Sequence, residues 1–172
     1  MSLDSVVSRP RRFDVGLGGP APRLVDTRSR KGYDCLGRMV SLEVATHCRT
    51  GLVDITTQVQ SAVAQSQVKH GMCFVYVPHT TAAVTVNEAF DPAVAEDITA
   101  TLSKLVPAHA GYTHTEGNSD AHIKATLVGS CQAVPVEGGK LFLGRWQGIF
   151  LCEFDGPRQR RCHVQVINQS GG

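Results

Sequence analysis

A chain of 172 residues fits a single domain with room for a sizeable core. Hydrophobic residues make up 42% and charged residues 19%, ordinary for a folded globular protein, and a formal net charge of +2 gives no ground for a nucleic-acid partner. No apolar run approaches the ~20 residues of a membrane helix and the N-terminus lacks a signal-peptide core, so no membrane partner and a cytoplasmic location are expected.

Residues 1–36 are rich in Arg, Gly, Pro and Ser, with the turn-prone run Gly16-Leu17-Gly18-Gly19-Pro20. They are expected to form an irregular N-terminal extension, followed by one domain over 37–168. Within that domain, Val40-Ser41-Leu42-Glu43-Val44 alternates as a half-buried strand does. Leu52, Ile55, Val59 and Val63 recur at helical spacing, which predicts a helix from Val53 to about Gln67. Met72 to Val77 is nearly all apolar, as in a buried strand, and Pro78 ends it. A further strand is predicted at Ala82 to Val86.

Asp91-Pro92 is a helix start, with a capping carboxylate followed by a proline whose missing N–H costs nothing there. Val94, Ile98, Leu102 and Leu105 give that helix a stripe expected to be buried. The polar run 108–119 reads as a loop, and Ala121 to Val128 as a short helix with Gly129 at its C-terminus. Strands are predicted at 130–136, 140–144, 147–154 and 161–167. Helices and strands do not alternate, and the last third is nearly all strand. The expected class is therefore α+β, a single domain with a largely antiparallel sheet and a few packed helices.

No phosphate-binding glycine loop, dinucleotide fingerprint or G-x-S-x-G elbow occurs. The six cysteines include no C-x-x-C pair and lie mostly in apolar stretches, where free Cys acts as a small hydrophobe. Two basic clusters, Arg9-Pro10-Arg11-Arg12 and Arg158 to Arg161, read as solvated segments rather than phosphate tracks.

Three histidines sit where functional groups gather. His79 follows a buried strand, His114 lies in the polar loop, and His122 begins the short helix. Three imidazoles with one open position make a catalytic zinc site, although the spacing matches no compact metal motif. The commoner role for such a ring is to satisfy a local hydrogen bond or simply to face water. Glu88 follows Asn87 at the end of a predicted strand, and Glu153 lies among apolar neighbours on another, where it either is buried and needs a partner or, on strict alternation, points to solvent. Lys124 and Arg145 are candidate phosphate contacts, and Trp146 could stack on a ligand or pack in the core.

In chain order, His79-Thr80-Thr81-Ala82-Ala83-Val84, Asn87-Glu88, Asp91-Pro92 and Asp97 resemble the first signature of the YjbQ-like family. Tyr112-Thr113-His114, Asp120-Ala121-His122-Ile123-Lys124 and Trp146-Gln147-Gly148-Ile149, followed by Glu153, resemble the rest. The resemblance spans about Met39 to Ile167. It implies a homotrimer with polar residues near subunit boundaries, and a divalent metal, zinc or magnesium, at His79, His114 and His122.

The candidate catalytic residues are Glu88, Asp120 and Glu153, and the candidate substrate contacts are Asn87, Lys124, Arg145, Trp146 and Gln147. Members are commonly labelled secondary thiamine-phosphate synthase, which joins a pyrimidine pyrophosphate to a thiazole phosphate. Arg145 departs from the pattern, where a small residue is expected before Trp-Gln-Gly. Pyrophosphate release calls for Mg²⁺ with Lys or Arg, whereas three imidazoles suit Zn²⁺. A metal-assisted enzyme on a phosphorylated small molecule is the leading expectation. A metal-dependent phosphate or pyrophosphate hydrolase and a non-enzymatic small-molecule-binding trimer are the alternatives.

Overall fold

The computed structural model describes residues 39–169. The expected extension at 1–36 lies outside the described residues. Strand β1 (Val40–Ala45) turns Val40, Leu42 and Val44 inward, as its alternation predicts. Next comes a strand that the periodicity hid, β2 (Gly51–Asp54). Helix α1 (Thr56–Ser66) therefore starts later than Val53. Leu52 and Val53 are held as strand by pairing with Cys152 and Leu151, and the Asp54 carboxylate accepts the Thr56 N–H (2.8 Å) and hydroxyl (2.5 Å) as the helix opens.

Strands β3 (His70–Tyr76) and β4 (Ala82–Glu88) follow. Helix α2 (Pro92–Leu105) begins as predicted, with the Asp91 carboxylate accepting the Ala93 N–H at 2.9 Å. Helix α3 (Ser119–Val128) ends at Gly129, whose φ of 97° favours glycine. The last four strands are β5 (Cys131–Glu137), a short β6 (Lys140–Leu141), β7 (Gln147–Glu153) and β8 (Gln159–Asn168).

Two antiparallel sheets result, in the orders β1-β8-β3-β5-β6 and β2-β7-β4. Six connections cross from one sheet to the other, and three of them are short arches: 46–50 joins β1 to β2, 77–81 joins β3 to β4, and 154–158 joins β7 to β8. Register puts all three arches at one end of the sandwich, here called the arch end. Gly51 and Ala82 both lie opposite Glu153, and Ala45 lies opposite Gln159. At the other end, α1 carries the chain from β2 back to β3.

The main core fills the space between the sheets with Leu42, Val75, Val84, Ile149, Leu151 and Val164, against Val59 and Val63 of α1. A smaller core lies on the outer face of the three-stranded sheet, where Ala83, Cys152 and Phe154 meet Ala121 and Ala125 of α3 and Leu102 of α2. With both faces covered, β7 reads in sequence as a continuous apolar run, Ile149-Phe150-Leu151-Cys152. The same double cover decides between the two readings of Glu153, which is buried at 1% exposure.

Helix α2 departs from expectation. No residue of it is buried, and Leu105 at the end of its stripe is 70% exposed. Helical spacing reports that an apolar face exists, and nothing in the described chain covers this one fully. Among the described residues no helix is long and apolar enough to cross a membrane. Cys48, Cys73, Cys131, Cys152 and Cys162 are all free thiols.

Candidate functional site

The polar centre of the molecule lies at the arch end, and one ion pair ties its three crossings together. Arg160, on the inner face of β8, donates Nε to Glu153 Oε2 at 2.7 Å and Nη2 to Glu153 Oε1. The same Nη2 donates to the Thr81 hydroxyl at 2.9 Å, and the Thr46 hydroxyl donates to Glu153 Oε2 at 2.8 Å. Backbone N–H groups of Phe154 (3.0 Å) and Asp155 (2.9 Å) complete the shell of Glu153 Oε1. Thr46 and Thr81, from two of these crossings, thus join Glu153 and Arg160, which flank the third, in a single buried hydrogen-bonded network. Burial pushes the Glu153 carboxyl up, but the bonds from Arg160, Asp155 and Thr46 outweigh it and hold the group below the usual carboxylate range.

Close backbone contacts seat the crossings on one another. Thr46 N donates to Arg158 O at 2.9 Å, Gly156 N to Arg49 O at 3.0 Å, and Phe154 N to Thr81 O at 3.2 Å. A side chain at Gly156 would collide with the Cys48 carbonyl and the Glu153 side chain, so this crossing requires glycine.

A second network lies beside the first. Asp120, in the first turn of α3 and 1% exposed, accepts from Lys124 Nζ at 2.8 Å and from Arg49 Nη2 at 3.0 Å. Asp155 accepts from Arg158 at 2.7 Å and Asn118 at 3.1 Å, with Arg49 Nη1 at 3.8 Å. Burial raises both carboxyls; for Asp120 the Lys124 bond and charge win, for Asp155 the Asn118 and Arg158 bonds do, and each group ends below its ordinary range. Both acids are ionised at neutral pH. The side chains of Arg49 and Arg158 stay 48% and 52% exposed, steered from behind by carboxylates and open to solvent in front.

The expected metal-binding histidines are divided. The rings of His114 and His122 meet edge to face with centroids 5.4 Å apart, and His114 Nε2 lies 3.7 Å from Glu116 Oε2. His79 is tied elsewhere: its Nε2 accepts the Arg161 N–H at 2.8 Å, which leaves the ring proton on Nδ1 when neutral. Burial and the Arg160 charge lower its pKa against the opposing pull of Glu153. Among the described residues no group of three or more His, Cys, Asp or Glu side chains is placed to hold a metal ion. One chain therefore offers an imidazole pair but no complete donor set.

The expected substrate contacts are divided too. Lys124 is at the arch end, 2% exposed and committed to Asp120. Asn87, Glu88, Arg145, Trp146 and Gln147 lie at the opposite end, where Glu88 is in register with Gln147. Gln147 and Glu153 bound β7, whose six residue steps span ~20 Å. Within one chain, Glu88 and Trp146 cannot share a site with Glu153. Trp146 is 57% exposed and stacks on Phe90 at 6.5 Å rather than packing in the core.

Sequence reasoning missed Thr46, Arg49, Thr81, Asn118, Asp155, Arg158 and Arg160 as site residues. The basic cluster 158–161 was read as solvated, yet Arg160 is 5% exposed. A signal existed: Arg160, Cys162, Val164 and Val166 share one alternation phase, which places the arginine on the buried face.

Residues 40–169 match the family described as UPF0047 protein YjbQ-like. The chain belongs to this family. A UPF0047 protein of Methanocaldococcus jannaschii is 52% identical over 125 residues, covering 73% of this chain and 91% of the relative. Another, YugU of Bacillus subtilis, is 41% identical, covering 74% of this chain and 97% of the relative. A crystal structure of an uncharacterized YjbQ/UPF0047 protein from Clostridium acetobutylicum superposes with a TM-score of 0.73 at 49% identity, covering 74% of this chain and 98% of that one. A YjbQ-like protein of unknown function from Sulfolobus solfataricus superposes with a TM-score of 0.74 at 36% identity, covering 76% and 96%. The YjbQ-like fold is the α+β arrangement described above, in a family of unknown function.

Proposed function

We propose that this protein acts in the cytoplasm, as a homotrimer, on a phosphorylated small molecule bound at the arch end. The observation that carries the reading is the pair of half-exposed guanidiniums, Arg49 and Arg158, each held from behind by an ionised carboxylate. Such pre-oriented forks match phosphate oxygens without further ordering. The Nδ1–H of His79 adds a neutral donor at the same end. The trimer is supported by the family resemblance and by the α2 stripe, which one chain leaves open.

The reaction that fits is a displacement in which a phosphorylated nucleophile attacks carbon and pyrophosphate departs with the bonding electrons, as in coupling a pyrimidine pyrophosphate to a thiazole phosphate. Arg49 and Arg158 would neutralise charge gathering on the leaving oxygens. Glu153 and Asp120 serve as positioning residues, since each carboxylate is fully bonded and held below the range of a proton acceptor. A divalent ion, zinc or magnesium, would supply further charge neutralisation. The donors of one chain do not fit such an ion.

A second reading is favoured by that same saturation: with Glu153 and Asp120 engaged, the site binds a phosphate ester without converting it. The purified protein is assayed for metal content, for mass in solution, and with both coupling substrates. Product formation, at least tenfold weaker in Arg49→Ala, is expected. Thermal stabilisation by phosphate esters without consumption would select the binding reading. Neither turnover nor stabilisation would refute both. Bound zinc or magnesium would mean that more than one chain contributes donors.

A further inference from the structure

Both half-exposed guanidiniums of the arch end converge on one acid, Asp155. Its carboxylate accepts from Arg158 Nη2 at 2.7 Å through Oδ2 and faces Arg49 Nη1 at 3.8 Å through Oδ1. Asn118 Nδ2, from the start of α3, donates to Oδ2 at 3.1 Å. Asp155 thus joins the 46–50 and 154–158 arches to the segment that opens α3. The acid is itself fixed. Its own N–H donates to Glu153 Oε1 at 2.9 Å, and the next N–H, that of Gly156, donates to the Arg49 carbonyl at 3.0 Å. The Asp155 side chain is 11% exposed, so it lies behind the two arginines it holds.

Arg158 is clamped at two points, since its Nε also donates to the Asp155 carbonyl at 2.7 Å. That leaves Nη1 as its outward donor. Arg49 is steered by two acids, with Nη2 on Asp120 at 3.0 Å and Nη1 toward Asp155. Because Arg49 Nη1 and Arg158 Nη2 face the two oxygens of one carboxylate, they are no more than ~9 Å apart. A single phosphoryl group spans that distance with an oxygen for each arginine.

We infer that Asp155 is a positioning residue that gathers Arg49 and Arg158 onto one phosphoryl group, so that the arch end takes the terminal phosphate of a phosphate monoester. Such a grip presupposes the phosphate site proposed above and names the residue that assembles it. Charge and position act in opposite directions at Asp155, which makes them separable. Asp155→Asn adds one positive charge beside the site, so on charge alone an anion would bind more tightly. With the anchor gone, the ligand itself has to order the guanidiniums, and binding weakens.

Methyl phosphate, which carries one phosphoryl group, is titrated by calorimetry into the full chain at about pH 8, where it is a dianion. Circular dichroism confirms the fold of each variant. The dissociation constant is expected to rise at least about tenfold in Asp155→Asn, against the added charge. Arg49→Lys and Arg158→Lys keep the charge but lose the fork, at side chains half open to solvent, and each should weaken methyl phosphate several-fold. A folded Asp155→Asn that binds as tightly as the parent, or more tightly, would overturn the inference and leave the phosphate site standing. So would a lysine variant that binds as the parent does, because the two arginines would then not share one group. If Asp155→Asn does not fold, the two lysine variants decide. No binding of methyl phosphate by the parent protein would overturn the inference and the phosphate site together.

Discussion

Removing Arg160 tests the buried network at its most costly point. In Arg160→Ala, Glu153 stays 1% exposed but loses a bidentate cation, and Thr46 with two backbone N–H groups must carry the charge alone. Breaking a buried pair from one side costs about 3–5 kcal/mol. In a domain of this size each kcal/mol moves the melting midpoint by roughly 3–4 °C, so a fall of about 10–20 °C is expected. Urea denaturation followed by circular dichroism gives the free energy. The double variant Glu153→Leu with Arg160→Met removes both charges and should lose less than the single variant, because no orphan charge remains. A pH series adds an independent sign. In the parent protein the Glu153 carboxyl is held below its unfolded value, so its contribution is full above about pH 4.3 and fades as pH falls through the folded value. In Arg160→Ala burial dominates and raises that carboxyl, so the gap between variant and parent should narrow from about pH 7 to about pH 4. A single variant within 1 kcal/mol of the parent, or a double variant worse than the single, would refute the reasoning.

Gly156→Ala should cost roughly 2–4 kcal/mol in the same denaturation assay, since the new methyl group meets the Cys48 carbonyl and the Glu153 side chain. Burial pushes the thiols of Cys73, Cys152 and Cys162 up to about 12, whereas Cys48 and Cys131 are exposed. A thiol reagent at pH 8 should therefore label Cys48 and Cys131 in the native protein, and Cys73, Cys152 and Cys162 only on unfolding, as peptide mapping would report. His79 is also lowered in the fold, so stability should stay level from pH 7 to 8, fall slightly on acidification through about pH 6.5, and fall further below about pH 4, where Asp120, Asp155 and Glu153, all held low, take up protons. Thermal melts across that range check the direction.

The fold class was legible because its strands and helix caps announce themselves locally. The alternation in β1, the apolar run of β7 and the Asp91-Pro92 cap each follow from contacts within a few residues. β2 was hidden because Leu52 and Ile55 also fit a helical stripe, and only pairing with β7 decides between the two. The site was harder for the same reason on a larger scale. Arg49 reaches Asp120 across 71 residues and Thr46 reaches Glu153 across 107, separations at which no sequence period exists. Motifs found the histidines and Asp120 but gave no account of distance, so residues at opposite ends of β7 looked like one site.

The placement of β8 has a consequence for synthesis of the chain. This last strand sits between β1 and β3 in the larger sheet, pairing Val40 with Val164 and Cys73 with Val166, and it brings Arg160 to Glu153. A nascent chain halted before residue 159 would have β1 made and nothing beside it, with Glu153 buried and uncompensated. Completion of the fold thus waits on translation reaching the final strand and on its clearing the ribosomal tunnel. Stop codons that truncate the chain before β8 should yield products that proteases remove rather than a shortened working protein.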